Sequence, residues 1–515
     1  MDRSLAPAPG PEEIHRRKLE EAHARPGAPI LSNVEWLRRQ SPEGIPGGRT
    51  GFARKPTRTL SGVAIVAVMT APARCPHGRC TYCPGGLENG SPQSYTGEEP
   101  SALRGAQFHW DSSAIARHRI EALEAIGHPT SKVEVIVMGG TFPARPRDYQ
   151  ETVLRGIYEG LDGVPAASLA EAQRTNARGA HRVVGLTVET RPDWCDRRVL
   201  PFLLEAGVTR IEIGVECLHD DVLARTGRAH SAGDVVRATR EARDRGLKIG
   251  YHLMLGLPGM DPARDLSDFR RVWDEPDFRP DFLKIYPTLV LPGTRLHEEW
   301  KAGEYEPYDT ARATELLAAM KALVPPWVRI HRIQRDIPAR LIAAGVRASN
   351  LRQLARARLE RDGARCRCLR CREAGRGPTP PAEEFSLSRV RYAAAGGEEE
   401  FLSFEDESHG RVAGFLRLRF PSSATEGGLD APVIRELKVL GPELPVGAPA
   451  RAVGDLQHRG FGRRLLEEAE AIASGRGFDR LYVMSAVGTR EYYGRHGYAP
   501  NGAHMVKALG RSPLR

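Results

Sequence analysis

Two groups of cysteines are the residues most able to do chemistry in this sequence. The first, Cys75, Cys80 and Cys83, has CX4CX2C spacing and follows a β-branched run at residues 63–68. Three thiolates on one loop can hold three irons of a [4Fe–4S] cluster and leave the fourth iron open to an exogenous ligand. A zinc ion completed by His77 is the alternative that the spacing leaves open.

The second group, Cys366, Cys368 and Cys371, offers three soft ligands within six residues. A tetrahedral zinc ion needs one more ligand, and we expect His331 to supply it in a structural site. The alternative is a set of three reduced surface thiols, which is unfavourable for clustered cysteines.

The sequence shows neither a signal-peptide pattern nor a membrane-spanning pattern. It has no signal-peptide core and no apolar run of about 18 residues, so we expect a cytoplasmic protein without a membrane partner. In a reducing compartment, grouped cysteines favour metal binding over disulfides.

Short β-branched runs alternate with helical patterns between residues 61 and 327, and these elements must position the first cysteine group. The predicted strands are 63–68, 133–138, 183–188, 210–215, 249–255 and 282–286. The predicted helices are 113–126, 148–160, 197–205, 232–245 and 263–273. The alternation predicts an α/β fold, a partial (β/α)6 barrel whose chemistry lies in the loops after the strands.

Three residues after predicted strands are candidates for the barrel mouth. Gly139 and Gly140 follow the second strand, where the backbone can approach a ligand closely, although a tight turn is the alternative. Glu189 ends the third strand and is placed to bind a ligand or to form a salt bridge across the mouth.

A second domain with an α+β fold and a mostly antiparallel sheet is predicted after a Pro-containing linker. Its predicted strands and helices are 387–392, 401–404, 412–420, 434–440, 461–474, 480–484 and 490–496, of which 461–474 and 490–496 are helical. A QxxGxG motif at 457–462 opens the first helix. Exposed backbone N–H groups at such a helix start suit a pyrophosphate, whereas an ordinary helix start is the alternative for the motif alone.

Positive charge is concentrated between the two domains. The formal net charge of the 515 residues is +10, and the segment 328–376 holds 14 arginines against four acidic residues. Such an excess of guanidinium groups favours nucleic-acid binding over a solvated surface. The arginines expected to contact nucleic acid are Arg329, Arg332, Arg335, Arg340, Arg352 and Arg356.

Four units follow from these patterns. They are a basic N-terminal arm at 1–60 that binds nucleic acid, the barrel at 61–327, an Arg-rich zinc-binding junction at 328–380 and the second domain at 381–515.

Taken together, the motifs resemble the Elongator catalytic subunit family, in which a radical S-adenosylmethionine (SAM) barrel is fused to a GNAT acetyltransferase. The motifs that carry this resemblance are CPHGRCTYCPGG at 75–86, QSYTGEEP at 93–100, MGGTF at 138–142, ETRPD at 189–193, RIQRDIP at 332–338 and CRCLRCRE at 366–373. The CX4CX2C spacing departs from the CX3CX2C of most radical SAM proteins, and the Elongator family varies this loop.

The resemblance implies further site residues. It places the methionine part of SAM near Gly139 and Gly140. For acetyl-CoA it implies contacts from Lys132, Glu436, Leu437, Lys438, Val439, Gly460, Phe461, Gly462, Arg463 and Tyr493. Lys132, Tyr492 and Tyr493 are the candidate catalytic residues, the tyrosines because GNAT enzymes commonly use a tyrosine as acid. Lys438 replaces a histidine usual in the family, so backbone pairing with the cofactor is the expected role of its segment.

The function implied by the resemblance is that of an acyltransferase forming 5-carboxymethyluridine at the wobble uridine (position 34) of tRNA. A reduced cluster would cleave SAM, the 5′-deoxyadenosyl radical would remove hydrogen from the methyl group of acetyl-CoA, and the carbon radical would attack C5 of the uridine. Thioester hydrolysis would then give the product.

The expected partners are the anticodon loop of tRNA and an electron donor for the cluster, with no requirement for accessory subunits. The rival interpretation is a protein lysine acetyltransferase in which the radical domain is structural. A third, a non-catalytic tRNA-binding protein, would require a broken cluster motif or a broken QxxGxG motif, and both motifs are intact.

Overall fold

The computed structural model describes residues 58–88, 90–377, 379–422, 424–444 and 455–510, together with residues 16, 17 and 20. Most of the predicted arm at 1–60 lies outside these residues, so its contact with nucleic acid stays a prediction. Within the described part of the chain, no helix is both long and apolar enough to cross a bilayer.

Seven parallel strands form the first sheet and follow one another in chain order. They are β1 (Ala64–Met69), β2 (Lys132–Met138), β3 (Arg182–Thr190), β4 (Arg210–Glu216), β5 (Lys248–Leu255), β6 (Phe282–Pro287) and β7 (Arg329–Ile333). The sheet is a curled, open half-barrel, which confirms the predicted fold class and adds one strand to the six predicted. The sequence analysis missed β7 because its arginines and histidine look like part of the Arg-rich junction.

Helices between the strands pack apolar faces against the sheet. Ile115 and Ile120, for example, join Val135 and Val137 in one buried cluster. The helices of this half of the chain are α1 (Pro100–Gln107), α2 (Ser112–Glu124), α3 (Arg147–Asp162), α4 (Leu169–Asn176), α5 (Leu200–Glu205), α6 (Asp220–Arg225), α7 (Ala232–Arg243), α8 (Pro262–Asp274), α9 (Arg295–Lys301), α10 (Thr310–Leu323), α11 (Leu351–Arg361) and α12 (Leu369–Arg372).

The other face of the sheet is polar. On β2, Val133 and Val135 are fully buried in the apolar core, whereas Lys132 and Glu134 line a cavity on the opposite side. Successive side chains of a strand point to opposite faces. The half-barrel therefore has an apolar outer face and a charged interior, and the interior carries the site.

A second, mixed sheet of seven strands has the order β13-β14-β12-β11-β10-β9-β8. Its elements are β8 (Ser386–Ala394), β9 (Gly397–Glu405), β10 (Val412–Phe420), β11 (Val433–Val439), α13 (Phe461–Gly475), β12 (Arg480–Val483), α14 (Arg490–Gly494), β13 (Ala499–Asn501) and β14 (His504–Ala508). This confirms the predicted α+β second domain. The short terminal hairpin, β13 and β14, was missed because one of its strands has only three residues and contains a proline.

Strands β11 and β12 are parallel but pair over only two positions, Val433 with Tyr482 and Ile434 with Val483. Beyond that point they separate, and the separation leaves a wedge-shaped opening along residues 435–439. The opening faces the first domain and contributes to the larger of the two cavities described below.

Buried ion pairs join the two sheets. The Arg435 guanidinium donates to both Asp281 and Glu399 at 2.7 Å. The Arg243 side chain, from α7, reaches the same Glu399 at 2.9 Å. All four side chains are at most 1% exposed. Because an unpaired buried charge is costly, these pairs fix how the second domain sits on the barrel.

Candidate active site

The loop after β1 carries the first cysteine group. Cys80 and Cys83 are buried, and Cys75 is partly exposed. The Cys80 sulfur lies 3.2 Å from Nε2 of His77, and the Cys83 sulfur accepts a hydrogen bond from the Ser94 amide at 3.3 Å. Burial raises the pKa of the Cys75 thiol to about 11, so a bound cation is needed to hold this group as thiolates at neutral pH.

The three sulfurs of this loop are spread too widely for one ion. The triad is absent from the sets of described ligand atoms that all lie within 4.8 Å of one another. Ligands at about 2.3 Å from a single zinc ion would lie closer together. The arrangement therefore fits a cluster of several irons better than the alternative of zinc with His77.

Gly139 and Gly140 lie beside this loop, as predicted for a close approach of the backbone. Gly139 has a φ of 125°, and a Cβ atom there would lie 2.2 Å from Oγ1 of Thr70. No side chain can make that contact, so glycine is required at position 139. Gly140 borders Cys75, because a Cβ on it would lie 3.9 Å from the cysteine sulfur.

The C-terminal ends of the strands enclose a cavity of about 130 Å³, here called the mouth cavity. The residues predicted from sequence that line it are Cys75, Gly140, Glu189, Arg332 and Arg335. They come from four different loops and strands, so the structure brings the cysteine loop and two of the predicted arginines to one place.

Two arginines face the cysteine loop: Arg191, which the sequence places at the end of the third strand as a possible ligand-binding residue, and Arg228, which the sequence analysis missed. The Arg228 guanidinium lies 3.9 Å from the Cys80 sulfur and 3.3 Å from Glu216. Arg191 is held by Asp193 at 2.9 Å and is 3% exposed. Buried guanidinium groups favour the charged form of nearby thiols, which is the form that binds iron.

Below the mouth, charged side chains fill the barrel interior. Glu212 on β4 is the centre of this set: it accepts from Nε2 of His252 at 3.1 Å, contacts the Lys284 ammonium, and lies 3.5 Å from Arg210. Lys284 also donates to Glu189 at 3.0 Å. Burial lowers the pKa of Lys284, but the two carboxylates raise it above its ordinary value.

The ligand atoms of Glu189, Glu212 and His252 lie within 4.8 Å of one another, the geometry of a possible metal site. The Lys284 ammonium contacts both of these carboxylates. A positive charge is therefore already provided by the chain itself, and the set is an ion-pair network facing the mouth cavity.

A cavity of about 650 Å³, here called the floor cavity, lies at the opposite end of the barrel. Lys132, Arg182, Arg210 and Lys248, the first residues of four consecutive strands, line it together with residues 435–439 of β11. Both domains therefore build this cavity, and the charged interior lies between it and the mouth.

The predicted cofactor residues of β11 line the floor cavity. Glu436 pairs with Arg417 at 2.8 Å. The Lys438 ammonium donates to Glu134 of β2 at 2.6 Å. Although burial opposes its ionisation, Lys438 and Arg210 hold the pKa of Glu134 well below its usual range. Lys438 thus binds the barrel floor with its side chain, which leaves the backbone of Leu437 and Val439 as the part available for a ligand.

Lys132 also lies at this cavity and is tied to the QxxGxG motif. Its ammonium donates to the Leu444 carbonyl at 2.8 Å and to Oε1 of Gln457 at 2.9 Å. The Gln457 amide in turn donates to the Val439 carbonyl at 3.3 Å. A lysine of the first domain therefore holds the first residue of a motif in the second.

The glycine loop ends in an open helix start. Gly460 is the N-cap of α13 with a φ of 85°, and no side chain caps this helix. Phe461 is buried beneath it and Arg463 is exposed. A Cβ on Gly462 would lie 2.9 Å from the Tyr492 hydroxyl. The uncapped N–H groups of α13 thus face the floor cavity and form an anion site.

The two tyrosines predicted as catalytic residues also line the floor cavity. The rings of Tyr492 and Tyr493 lie 5.3 Å apart and nearly perpendicular. Burial raises the pKa of both hydroxyls. They remain protonated at neutral pH, as a proton donor must.

Comparison with known proteins identifies the family of this architecture. A model described as the Radical SAM superfamily matches residues 70–269, and one described as the Radical_SAM C-terminal domain matches residues 280–361. The tRNA uridine(34) acetyltransferase of Methanocaldococcus jannaschii is 45% identical, with 88% of this chain and 86% of that protein covered. Elongator complex protein 3 of Homo sapiens is 44% identical, with 88% and 86% covered.

This chain belongs to the Elongator complex protein 3 family. A solved structure described as the archaeal Methanocaldococcus infernus Elp3 with N-terminus deletion (1-46) matches with a TM-score of 0.77 and 40% identity, over 88% of this chain and 100% of that chain. The radical SAM domain implies SAM and a [4Fe–4S] cluster as cofactors, and the cysteine loop has the donor set for the cluster.

The second cysteine group of this family member is compact. The sulfurs of Cys366, Cys368 and Cys371 lie within 4.8 Å of one another. Hydrogen bonds from the other two thiols lower the pKa of Cys368 well below its ordinary value. One thiolate between two thiols, beside the Lys321 ammonium at 3.8 Å from Cys371, is a donor set suited to a soft metal ion.

His331 does not join this group. Its ring packs on Phe282 with centroids 4.6 Å apart, and its Nδ1 lies 3.7 Å from Glu212 in the barrel interior. As part of β7, the residue points into the half-barrel, where burial lowers its pKa to about 3. The four predicted zinc ligands therefore do not form one site in this structure.

The six arginines predicted to contact nucleic acid fall into two sets. Arg329 is buried and donates to Glu373 at 3.1 Å, and Arg352 is bound to the Ile330 carbonyl beside the second cysteine group. Their guanidinium groups are used within the fold. Of the remaining four, Arg332 and Arg335 line the mouth cavity, and Arg340 and Arg356 have exposed side chains.

The interior residues Glu212, His252 and Lys284 are functional candidates that sequence reasoning missed. The signal was present as charges at every second residue of otherwise apolar strands, such as Arg210 and Glu212 on β4. In a strand buried on both faces, this period of two marks the barrel interior.

Proposed function

We propose that this protein forms 5-carboxymethyluridine at the wobble uridine of tRNA from acetyl-CoA by radical SAM chemistry. The observation that carries the proposal is the position of the two cavities at opposite ends of one half-barrel. The cysteine loop lies at the mouth, the QxxGxG loop at the floor, and the charged interior lies between them. The printed names of the relatives, tRNA uridine(34) acetyltransferase among them, support the same activity.

In this proposal Cys75, Cys80 and Cys83 would hold the cluster, and Cys75 lines the mouth cavity. Gly139 and Gly140 leave room there for the methionine part of SAM. When bound, the cluster and SAM supply a radical that removes hydrogen from an unactivated carbon. The chain's own contribution is to shield that radical in a small cavity and to aim it.

Acetyl-CoA occupies the floor cavity in this proposal. Its pyrophosphate lies at the start of α13, against the N–H groups of Phe461, Gly462 and Arg463. Its pantetheine arm lies in the wedge where β11 separates from β12. A cavity of about 650 Å³ is large enough for such a ligand.

tRNA lies over the mouth. Arg332 and Arg335 line the mouth cavity, and Arg335 also lies over the Tyr95 ring, 5.6 Å from its centroid. Arginines bind phosphates, and aromatic rings stack on unpaired bases, so this edge of the barrel suits a single-stranded loop. Arg340 and Arg356 are exposed and form ion pairs with Glu98 and Glu360, which a phosphate of the tRNA would replace.

A zinc ion at Cys366, Cys368 and Cys371, an external electron donor and a cytoplasmic location belong to the same proposal. All eight cysteines are free, which supports a reducing compartment. No accessory subunit is needed to complete either cavity.

The test is anaerobic reconstitution followed by incubation with dithionite, SAM, acetyl-CoA and unmodified tRNA, with nucleoside mass analysis. We expect carboxymethyluridine from the unmutated protein, and none when SAM is omitted or when Cys80 is replaced in Cys80→Ala. Cys195→Ala is the matched control, since Cys195 is buried and its sulfur contacts the Ala238 carbonyl rather than a residue of either group. SAM-independent acetylation of protein lysines, with no modified uridine, would favour the acetyltransferase alternative and overturn the proposal.

A further inference from the structure

Lys248, the first residue of β5, points into the barrel interior at the floor cavity. It shares a face of the strand with Gly250 and His252. A Cβ on Gly250 would lie 3.1 Å from the Glu212 side chain, so this face is the interior one. In the register of the sheet Lys248 lies beside Arg210, and both residues line the floor cavity.

Lys248 has no partner among the described residues, in contrast to the other two lysines of this cavity. Lys132 donates to Leu444 and Gln457, and Lys438 donates to Glu134. Lys248 is only 8% exposed, yet its ammonium group forms no hydrogen bond or ion pair within the described part of the chain. A buried ammonium without a partner is costly. A ligand that supplies an acceptor would remove that cost.

The surroundings of Lys248 leave its charge adjustable. Burial lowers its pKa to about 8, with Arg210 and Lys438 acting in the same direction and Glu436 and Glu134 opposing it. These four are the charged side chains that face it from β2, β4 and β11. The residue is therefore a proton-bearing donor at neutral pH and loses its charge in mild alkali.

The direction of the acyl donor brings its reactive end to this lysine. With the pyrophosphate at α13 and the pantetheine arm along 435–439, the thioester points away from α13 toward the barrel floor. Glu436 is on this segment, and among the carboxylates it has the largest effect on the pKa of Lys248.

We infer that Lys248 is the residue that binds the thioester carbonyl oxygen of the acyl donor, as a charged hydrogen-bond donor at the barrel floor. This rests on the proposed function, namely acetyl-CoA in the floor cavity. The contact orients the acetyl group toward the interior. It also stabilises the oxyanion formed when water adds to the carbonyl carbon, before the C–S bond breaks and CoA leaves as the thiol.

The test compares acetyl-CoA with S-ethyl-CoA, a thioether that lacks only the carbonyl oxygen. Calorimetric affinities are measured for the unmutated protein, Lys248→Met, Lys248→Arg and the exposed control Lys301→Met. A charged hydrogen bond contributes about 1.5–3 kcal/mol, so we expect Lys248→Met to weaken acetyl-CoA binding by about tenfold or more while S-ethyl-CoA is unaffected. Lys248→Arg keeps a donor and retains part of the preference.

The pH dependence gives a second readout. The preference of the unmutated protein for acetyl-CoA should decline as the pH rises through about 8, whereas that of Lys248→Arg should persist. Without ligand, Lys248→Met should melt at the same or a higher temperature, because it removes an unpartnered charge.

If the ratio of the two affinities is the same in Lys248→Met as in the unmutated protein, the inference is overturned while the proposed function stands. The inference is also overturned if Lys248→Met lowers the affinity for both ligands by the same factor, because that result indicates a change of cavity shape. Failure of the unmutated protein to bind either ligand would overturn the inference together with acetyl-CoA binding at the floor.

Discussion

Gly139, at the mouth, has no room for a side chain. A side chain there meets Thr70 at 2.2 Å in a left-handed conformation. Gly163 has a similar positive φ of 71° but open space around its Cβ position. Comparing substitutions at Gly139 and Gly163 therefore separates the free-energy cost of a positive φ from the cost of the contact with Thr70.

Gly139→Ala should therefore destabilise the protein more than Gly163→Ala. We expect about 1–2 kcal/mol for the control, from the conformation alone, and about 2–4 kcal/mol for Gly139→Ala, in which Thr70 must also move. Thermal unfolding of the two variants measures this. Equal melting temperatures would show that the end of β1 yields freely and that the glycine is not required by packing.

At the same scale, the grouping of six cysteines in two loops was predictable and the interior network was not. Cys75, Cys80 and Cys83 are close in sequence, so their spacing predicts their meeting. Glu212, His252 and Lys284 lie on three strands, and only the register of the sheet brings them together. The prediction that His331 completes the second cysteine group was wrong for the same reason: nearness in the chain does not determine on which face of β7 a side chain lies.

Among elements, the short helix α12 joins the second cysteine group to both domains. The Leu369 amide donates to the Val328 carbonyl just before β7 at 2.8 Å. Glu373, just after the helix, forms a bridge with Val412 of β10. A metal bound to Cys366, Cys368 and Cys371 would therefore brace the contact between the two sheets.

Cys371→Ser should release about one zinc ion per chain while the iron content stays unchanged, and it should lower the melting temperature. The reason is that one of three protein thiolates is lost from a site that has no spare ligand. Elemental analysis of the purified protein measures both metals. The control Cys195→Ser should keep both, and zinc retained in Cys371→Ser would rule out this site.

The first six strands were predictable because each is a long β-branched run followed by a chemically distinctive loop. β7 was not, since Arg329 and Arg332 gave it the composition of a nucleic-acid-binding segment. The helices α9 and α11 were also missed. Their sequences are rich in charged residues, and only their packing on the barrel selects the helical state.

For the whole molecule, the buried ion pairs between the sheets set the relative position of the two cavities. Burial opposes ionisation of Asp281, but Arg243 and Arg435 hold its pKa well below the ordinary range. A carboxyl with a lowered native pKa stabilises the folded state above its unfolded pKa of about 4, and the contribution is lost as the pH falls below that value.

Arg435→Met should cost about 3 kcal/mol at neutral pH, because Asp281 and Glu399 each lose one buried guanidinium partner while Arg243 still contacts both. It should also move acid unfolding to higher pH, because the variant begins from a lower stability. Arg480→Met, which removes an exposed partner of Asp430, should change stability by about 0.5 kcal/mol or less. Thermal unfolding between about pH 3 and 8 measures both effects. Identical acid transitions in the two variants would exclude the interface as the acid-sensitive element.

tRNA binding is also a property of the whole surface. Replacing both mouth arginines, in Arg332→Gln/Arg335→Gln, should weaken tRNA binding and reduce the slope of log K against log salt by about 1.5. The control Arg237→Gln/Arg480→Gln removes the same charge from exposed positions that do not line the mouth cavity. Filter binding across a salt series measures the slopes. The same slope in both double variants would place the tRNA elsewhere.

The most direct test of the central claim follows the methyl hydrogens of the acyl donor. The reconstituted protein is incubated with SAM, tRNA and acetyl-CoA carrying a CD3 group, and both products are analysed by mass. The account predicts one deuterium in 5′-deoxyadenosine and two in carboxymethyluridine, because a hydrogen taken from the floor-cavity ligand must reach the radical formed at the mouth. Unlabelled 5′-deoxyadenosine beside labelled carboxymethyluridine would contradict the claim that the two cavities act on one substrate carbon.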